Sequence, residues 1–231
     1  MPNLTAKLVE VFQLGEEIVG VLDLPRHFWP EPGQYLPCQR LSEKPEIMTT
    51  PLFKVIGDPN RLCVAPLPGS WTPGDRLALL PPQGNGFKLP HNARRIGLLA
   101  MSIPPSRLLT LVKPALAQNA AVSLFCNPQP DPDLLSRVPS VVEVGPLSAL
   151  QDNLQWPDFL AVDLPLARLE HLQEILPPLP LPFEGQVLVR TSMPCHGVGE
   201  CGVCTVKTRR GWRLACVNGP VFPLAEVLHV A

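Results

Sequence analysis

Cys195, Cys201, Cys204 and Cys216 lie in the stretch MPCHGVGECGVCTVKTRRGWRLACVNGPVF, spaced C-x5-C-x2-C-x11-C, with Gly197, Gly199 and Gly202 between the first three. Two irons bridged by two sulfides need four thiolates, and three of them can come from one loop. Glycines let such a loop take positive φ and bring its backbone N–H groups close to the sulfurs. Those N–H groups stabilise negative charge and tune a reduction potential. The spacing therefore points to a [2Fe–2S] cage held by the four cysteines. A structural zinc ion is the alternative, since it also accepts four thiolates. Zinc ribbons usually pair two separated C-x2-C knuckles, whereas this stretch has one knuckle with outlying cysteines on either side. His196, beside the first cysteine, reads as a loop residue at the cluster edge, because four thiolates already complete the cage.

No other constellation suggests catalysis. The remaining histidines, His27, His91, His171 and His229, are scattered, and no Ser/His/Asp or Cys/His arrangement is visible. Cys38, Cys63 and Cys126 sit in apolar runs and read as small core residues. The cysteine count is seven, an odd number that speaks against a disulfide framework. The opening MPNLTAKLVEV lacks a signal-peptide pattern, and a reducing, cytoplasmic location is expected. A net charge of −1 gives no nucleic-acid footprint. No run approaches the ~20 apolar residues of a membrane span. At 231 residues, 45% hydrophobic and 17% charged, the chain can build two compact units and a small appendage.

Those units must place the cysteines. Up to about Pro90, short apolar runs alternate with turns: LTAKLVEVF and EIVGVLDLP around Leu14-Gly15-Glu16, then QYLPCQ, PLFKVIG, RLCVAP and DRLALLP. This regular spacing predicts an antiparallel β-barrel over residues 1–92. From Arg94 strands alternate with helices. RRIGLLAM, AVSLFCN, SVVEVG and FLAVDLP read as buried strands. SRLLTLVKPALAQN (interrupted at Pro114), DPDLLSRV, LSALQDNL and LARLEHLQEIL read as helices, with Asp131 and Ser148 as caps. This pattern predicts a three-layer α/β domain of nucleotide-binding type over 93–183. The stiff PPLPLP segment then leads into a [2Fe–2S] module over 184–231. Trp212, Val221 and Phe222 are read as packing that module against the α/β domain, with shielding of the cluster or part of a docking face as the alternative.

The order of these parts, with several motifs, resembles the electron-transfer subunits of bacterial dihydroorotate dehydrogenases, in the ferredoxin-reductase superfamily. Pro32-Gly33-Gln34-Tyr35 is similar to the family's PGQF turn. Pro73-Gly74-Asp75 and Pro82 to Phe87 are similar to its PGD…GPLGNGF segment, and Asn218-Gly219-Pro220-Val221-Phe222 to its terminal DGPVF. The resemblance implies a barrel that binds FAD, an α/β domain that accepts NADH, and a cluster that relays electrons to an FMN-containing catalytic subunit in a hetero-oligomer.

Three departures qualify those implications. Thr50 stands for the arginine and Phe53 for the serine of the family's R-P-x-S flavin signature, and the phosphate loop is unrecognisable in APLPGSWTPGD. Leu99 to Ser106 replaces a glycine-rich phosphate turn with side chains and two prolines, and Ala161 to Pro165 replaces a late C-G-P motif. The spacer between the first two cysteines has five residues rather than the family's four, His196 being the extra one. The expectation is therefore a redox subunit rather than an autonomous enzyme, with the cluster as its working cofactor and FAD and NAD(H) in doubt. A complete FAD- and NAD(H)-dependent reductase, or a non-catalytic scaffold or redox sensor, are the alternatives.

Overall fold

The computed structural model describes residues 4–43 and 47–228; His229 lies outside them. The chain opens with a long hairpin, β1 (Leu4–Leu14) and β2 (Glu17–Asp23). Gly15 makes its turn at φ +58°, which the missing Cβ permits. Four short strands follow: β3 (Tyr35–Arg40), β4 (Thr50–Lys54), β5 (Leu62–Ala65) and β6 (Arg76–Leu79). Together the six close an antiparallel barrel in the order β1-β2-β5-β4-β3-β6, which leaves no open sheet edge. Its interior holds Leu8, Leu22, Leu36, Cys38, Leu52, Leu62, Val64 and Leu77, all buried.

The second unit is a six-stranded sheet, ordered β14-β11-β10-β7-β8-β9. Its strands are β7 (Arg95–Met101), β8 (Ala121–Asn127), β9 (Glu143–Pro146), β10 (Phe159–Pro165), β11 (Glu184–Arg190) and β14 (Val221–Pro223). All pairs are parallel except β11 with β14. Alternate residues of the central strands feed two separate cores, as strand geometry requires. Ile96, Leu98, Ala100, Val122 and Leu124 face the barrel, a 3-10 turn at Leu108–Leu111 and α1 (Val112–Ala117). Leu99, Met101, Leu160, Val162 and Leu164 face α3 (Leu147–Asp152), α4 (Leu169–Ile175) and the C-terminal segment. Both faces are covered, as expected for a parallel sheet.

Several expectations differ in detail. Pro114 does not interrupt its helix; it sits in the first turn of α1, where a missing N–H costs nothing. Asp131 caps α2 (Pro132–Leu135) by accepting the Asp133 N–H, but Ser148 is inside α3, whose cap is Pro146 without a side-chain bond. The SVVEVG segment forms a largely exposed edge strand, not a buried one. Residues 184–190 and 221–223, assigned above to the terminal module, are strands of the sheet. Their apolar residues Val187, Leu188 and Val221 complete its core, so the cluster segment is a loop and a small ribbon hung between two sheet strands. That ribbon pairs β12 (Thr205–Thr208) with β13 (Gly211–Leu214). Val221 and Phe222 pack as expected, but Trp212 on β13 is 69% exposed. Cys38, Cys63 and Cys126 are buried thiols outside any disulfide, and burial pushes the Cys126 pKa up to about 12. No described helix is long and apolar enough to cross a membrane.

Candidate iron–sulfur site and the junction beside it

The four cysteines lie where the barrel meets the C-terminal end of the chain. Cys195 follows β11 by a short loop, Cys201 and Cys204 lie on the next turns, and Cys216 sits in the one-turn helix α5 (Ala215–Asn218) after β13. Cys204 and Cys216 are buried with Sγ atoms 3.2 Å apart, Cys195 is half-buried and Cys201 exposed. A Cys216 N–H points at the Cys204 sulfur from 3.4 Å. Among the described residues, no three His, Cys, Asp or Glu converge at the spacing of a single metal ion.

The loop is built as the sequence requires. Residues 196, 197, 199 and 202 all have positive φ, including the non-glycine His196 at +57°. His196, read above as the extra spacer residue, thus takes a left-handed step of its own. Gly197 has a second constraint: a Cβ there would lie 1.9 Å from Gln83 Oε1. At Gly199 a Cβ would meet Val217 at 2.8 Å, whereas at Gly202 nothing lies within 4 Å. Desolvation raises the Cys195 thiol, but N–H groups of Gly199, Gly197 and Val198, with the Cys201 thiol, outweigh it and bring it down to about 7. This is the ready donation to sulfur that an anionic cage needs. Cys216 goes the other way, to about 12, through burial and its neighbouring thiols. A donor set of four thiols with backbone N–H groups aimed at two of them, Cys195 and Cys204, fits an iron–sulfur cluster.

The segments that carried the family resemblance touch one another here. Tyr35 bridges Gln83 and Asn85 bridges Pro220. A Cβ at Gly33 would strike Val221 at 2.6 Å, and one at Gly84 would strike Pro220 at 2.5 Å. The PGQY turn, the QGNGF segment and the NGPVF ending therefore form one joint between barrel and cluster loop. Tyr35 is fully buried; burial and the thiols of Cys216, Cys204 and Cys195 push its hydroxyl pKa upward, keeping it a donor.

The positions implied for FAD and NADH are filled differently. Phe53 is buried, its ring 6.0 Å from Tyr35, with the Arg107 guanidinium 5.5 Å above it. Arg107 is 1% exposed and donates to Glu17 Oε1 at 2.7 Å. Ser106 donates to the other oxygen of Glu17 at 2.5 Å. Asp163, wholly buried near the end of β10, lies 3.2 Å from Arg190 Nε and 3.9 Å from Arg107 Nη1. Burial pushes its carboxyl up, opposed by Arg190 and Arg107. Two guanidinium and two carboxylate groups from both units thus meet at the carboxyl ends of the sheet strands, where a dinucleotide sits in open α/β folds. The turn after β7 carries Pro104 and Pro105 in place of N–H donors and bonds the barrel through Ile56 N to Ser106 O, 2.8 Å. A cavity of about 460 Å³ remains beyond it, walled by Pro104, Pro128 and Pro130 with Arg168 as its one cation. These residues do not fit FAD at β4 or a dinucleotide pyrophosphate after β7. Sequence reading missed this network, although Asp163 inside the apolar run FLAVDLP is a signal: a charge on a doubly buried strand demands a partner.

The barrel and the six-stranded sheet define the ferredoxin-reductase fold, with a four-cysteine loop carried beside the barrel. Residues 191–228 match the family model for the iron–sulfur cluster binding domain of dihydroorotate dehydrogenase B. Over longer stretches the chain is similar to the electron transfer subunits of that enzyme. It is 27% identical to the subunit of Clostridium perfringens over 165 residues, covering 67% of each chain. It is 23% identical to that of Desulforamulus reducens over 207 residues, covering 80% of this chain and 76% of the relative. Among solved structures, an NADH-dependent reduced ferredoxin–NADP oxidoreductase shares the fold with a TM-score of 0.74 at 18% identity, over 96% of this chain and 89% of that one. The ferredoxin reductase of carbazole 1,9a-dioxygenase shares it with a TM-score of 0.56 at 16% identity, over 77% and 67%.

Proposed function

We propose that this chain is the electron-transfer subunit of a dihydroorotate dehydrogenase-like flavoprotein complex, with Cys195, Cys201, Cys204 and Cys216 holding a [2Fe–2S] cluster. Such a cluster supplies one-electron oxidation and reduction without bond making at a substrate. The chain's own residues do the rest. Gly197 and Gly199 let the loop turn its N–H groups toward sulfur. The barrel and β14 bury Cys204 and Cys216, while Cys201 leaves one edge open to a partner. Val198, Val203 and Val217, all more than half exposed, give that edge an apolar rim suited to protein contact. The partner is proposed to be an FMN-containing catalytic subunit, joined as a hetero-oligomer.

The observation that carries this reading is the half-open thiolate loop beside a junction closed by Phe53, Arg107, Glu17 and Asp163. One redox centre is supported, and its electrons must come and go by the surface. The test is to mix the dithionite-reduced chain, freed of excess reductant, with the oxidised catalytic subunit of a dihydroorotate dehydrogenase B. Flavin reduction with matching loss of the reduced-cluster signal is expected. A partner flavin that stays oxidised, or NADH–dye reductase activity in this chain alone, would refute the proposal.

A further inference from the structure

The barrel grips the cysteine loop at both of its ends. At the first cysteine, Thr49 Oγ1 donates to the Met193 carbonyl at 3.1 Å and accepts the His196 N–H at 3.4 Å, while the Thr49 N–H donates to the Pro194 carbonyl at 3.2 Å. At the last, the Tyr35 hydroxyl lies 3.3 Å from the Cys216 carbonyl oxygen and 3.2 Å from the Gln83 carboxamide. Asn85 adds bonds to the Gly219 carbonyl at 2.5 Å and the Asn218 carbonyl at 2.7 Å. Tyr35 and Thr49 are themselves buried, at 0% and 7% exposure. Phenylalanine would fill the Tyr35 site equally well, so a hydroxyl placed there needs its partners and acts through them.

We propose that Tyr35 and Thr49 are positioning residues of the cluster: barrel strands that the family resemblance assigns to flavin here hold the first and fourth cysteines at a fixed separation. Tyr35 opens β3 and Thr49 immediately precedes β4, the two strands pairing from Tyr35 with Phe53 to Cys38 with Thr50. Because β3, which carries Tyr35, and β4, which begins one residue after Thr49, belong to a closed barrel, both grips are anchored to its wall. A cage held this way keeps its sulfur geometry when charge is added, and groups behind metal ligands set both affinity and potential. The barrel's role in this chain is thus to rigidify the cluster site. This inference rests on the four cysteines being the ligands.

The test uses the full chain and three variants, Tyr35→Phe, Thr49→Val and Thr49→Ser. Cluster loss to a chelator is followed by visible absorbance, and the midpoint potential and EPR line shape are measured on the same samples. Tyr35→Phe and Thr49→Val are expected to lose the cluster about two- to tenfold faster per lost bond, with a shifted potential and broadened signals. Thr49→Ser restores the wild-type behaviour. Wild-type rates, potentials and line shapes in both variants would overturn the inference, whether or not thermal stability falls. A wild-type chain without iron overturns the ligand assignment itself, so the two failures are distinguishable.

Discussion

Replacing Arg107 by Met tests whether the charges at the junction hold the barrel to the sheet. The side chain is 1% exposed and serves Glu17 at 2.7 Å and Asp163 at 3.9 Å. Its removal leaves two buried carboxylates sharing the Arg190 guanidinium, which lies 3.9 Å from Glu17 and 3.2 Å from Asp163. Removing one partner of a buried ion pair costs about 3–5 kcal/mol, because the charge left behind has lost both water and counterion. For a chain of this size that is a fall of roughly 6–20 °C in melting temperature. The informative step is the second substitution. Glu17→Gln in the Arg107→Met background leaves one carboxylate facing one guanidinium, so the double variant should be more stable than Arg107→Met alone. Equilibrium urea unfolding followed by circular dichroism, arranged as a double-mutant cycle, measures both changes. A loss below about 1 kcal/mol for Arg107→Met, or further destabilisation by Glu17→Gln, would refute the reasoning.

Three further outcomes follow from the same structure. Cys204→Ser should abolish the visible absorbance and EPR signal, whereas Cys38→Ser, which alters a thiol buried in the barrel, should leave both intact. Gly197→Ala should cost about 1–2 kcal/mol from its left-handed backbone alone, plus the contact with Gln83. Adding Gln83→Ala should recover the second part, and Gly202→Ala should show only the first; thermal unfolding with cluster occupancy reads all three. Asp158 accepts from the N–H groups of Arg94 and Arg95 at 3.0 Å and pairs with the Arg95 guanidinium at 2.6 Å. The Arg95 bond, chiefly, holds its carboxyl below the ordinary 3.8. Its contribution is therefore complete above that value and lost as pH falls through the lower folded value. Asp158→Asn should flatten that acid limb in urea unfolding, and an unchanged limb would contradict the assignment.

Local patterns made much of this molecule legible. The barrel strands follow from short apolar runs at regular spacing, and the cysteine and glycine spacing within 22 residues, 195–216, picks out the left-handed loop that the structure carries beside the barrel. What sequence could not place was set by distant pairings. Glu17, Arg107, Asp163 and Arg190 come from two strands of the sheet, one of the barrel and a turn, and no periodicity links them. Residues 184–190, read in sequence as the start of the cluster module, pair with β10 in the sheet, because a sheet strand and a module boundary both read as an apolar run after prolines. Tyr35 was visible only as a variant of a turn motif; its bond to the Cys216 carbonyl spans 181 positions.

The central claim is tested most directly by counting iron and acid-labile sulfide in anaerobically purified protein and recording EPR spectra before and after dithionite. Two irons and two sulfides per chain are expected, with a silent oxidised sample, a signal on reduction and no flavin released by acid. A colourless protein whose only metal is zinc would contradict the account.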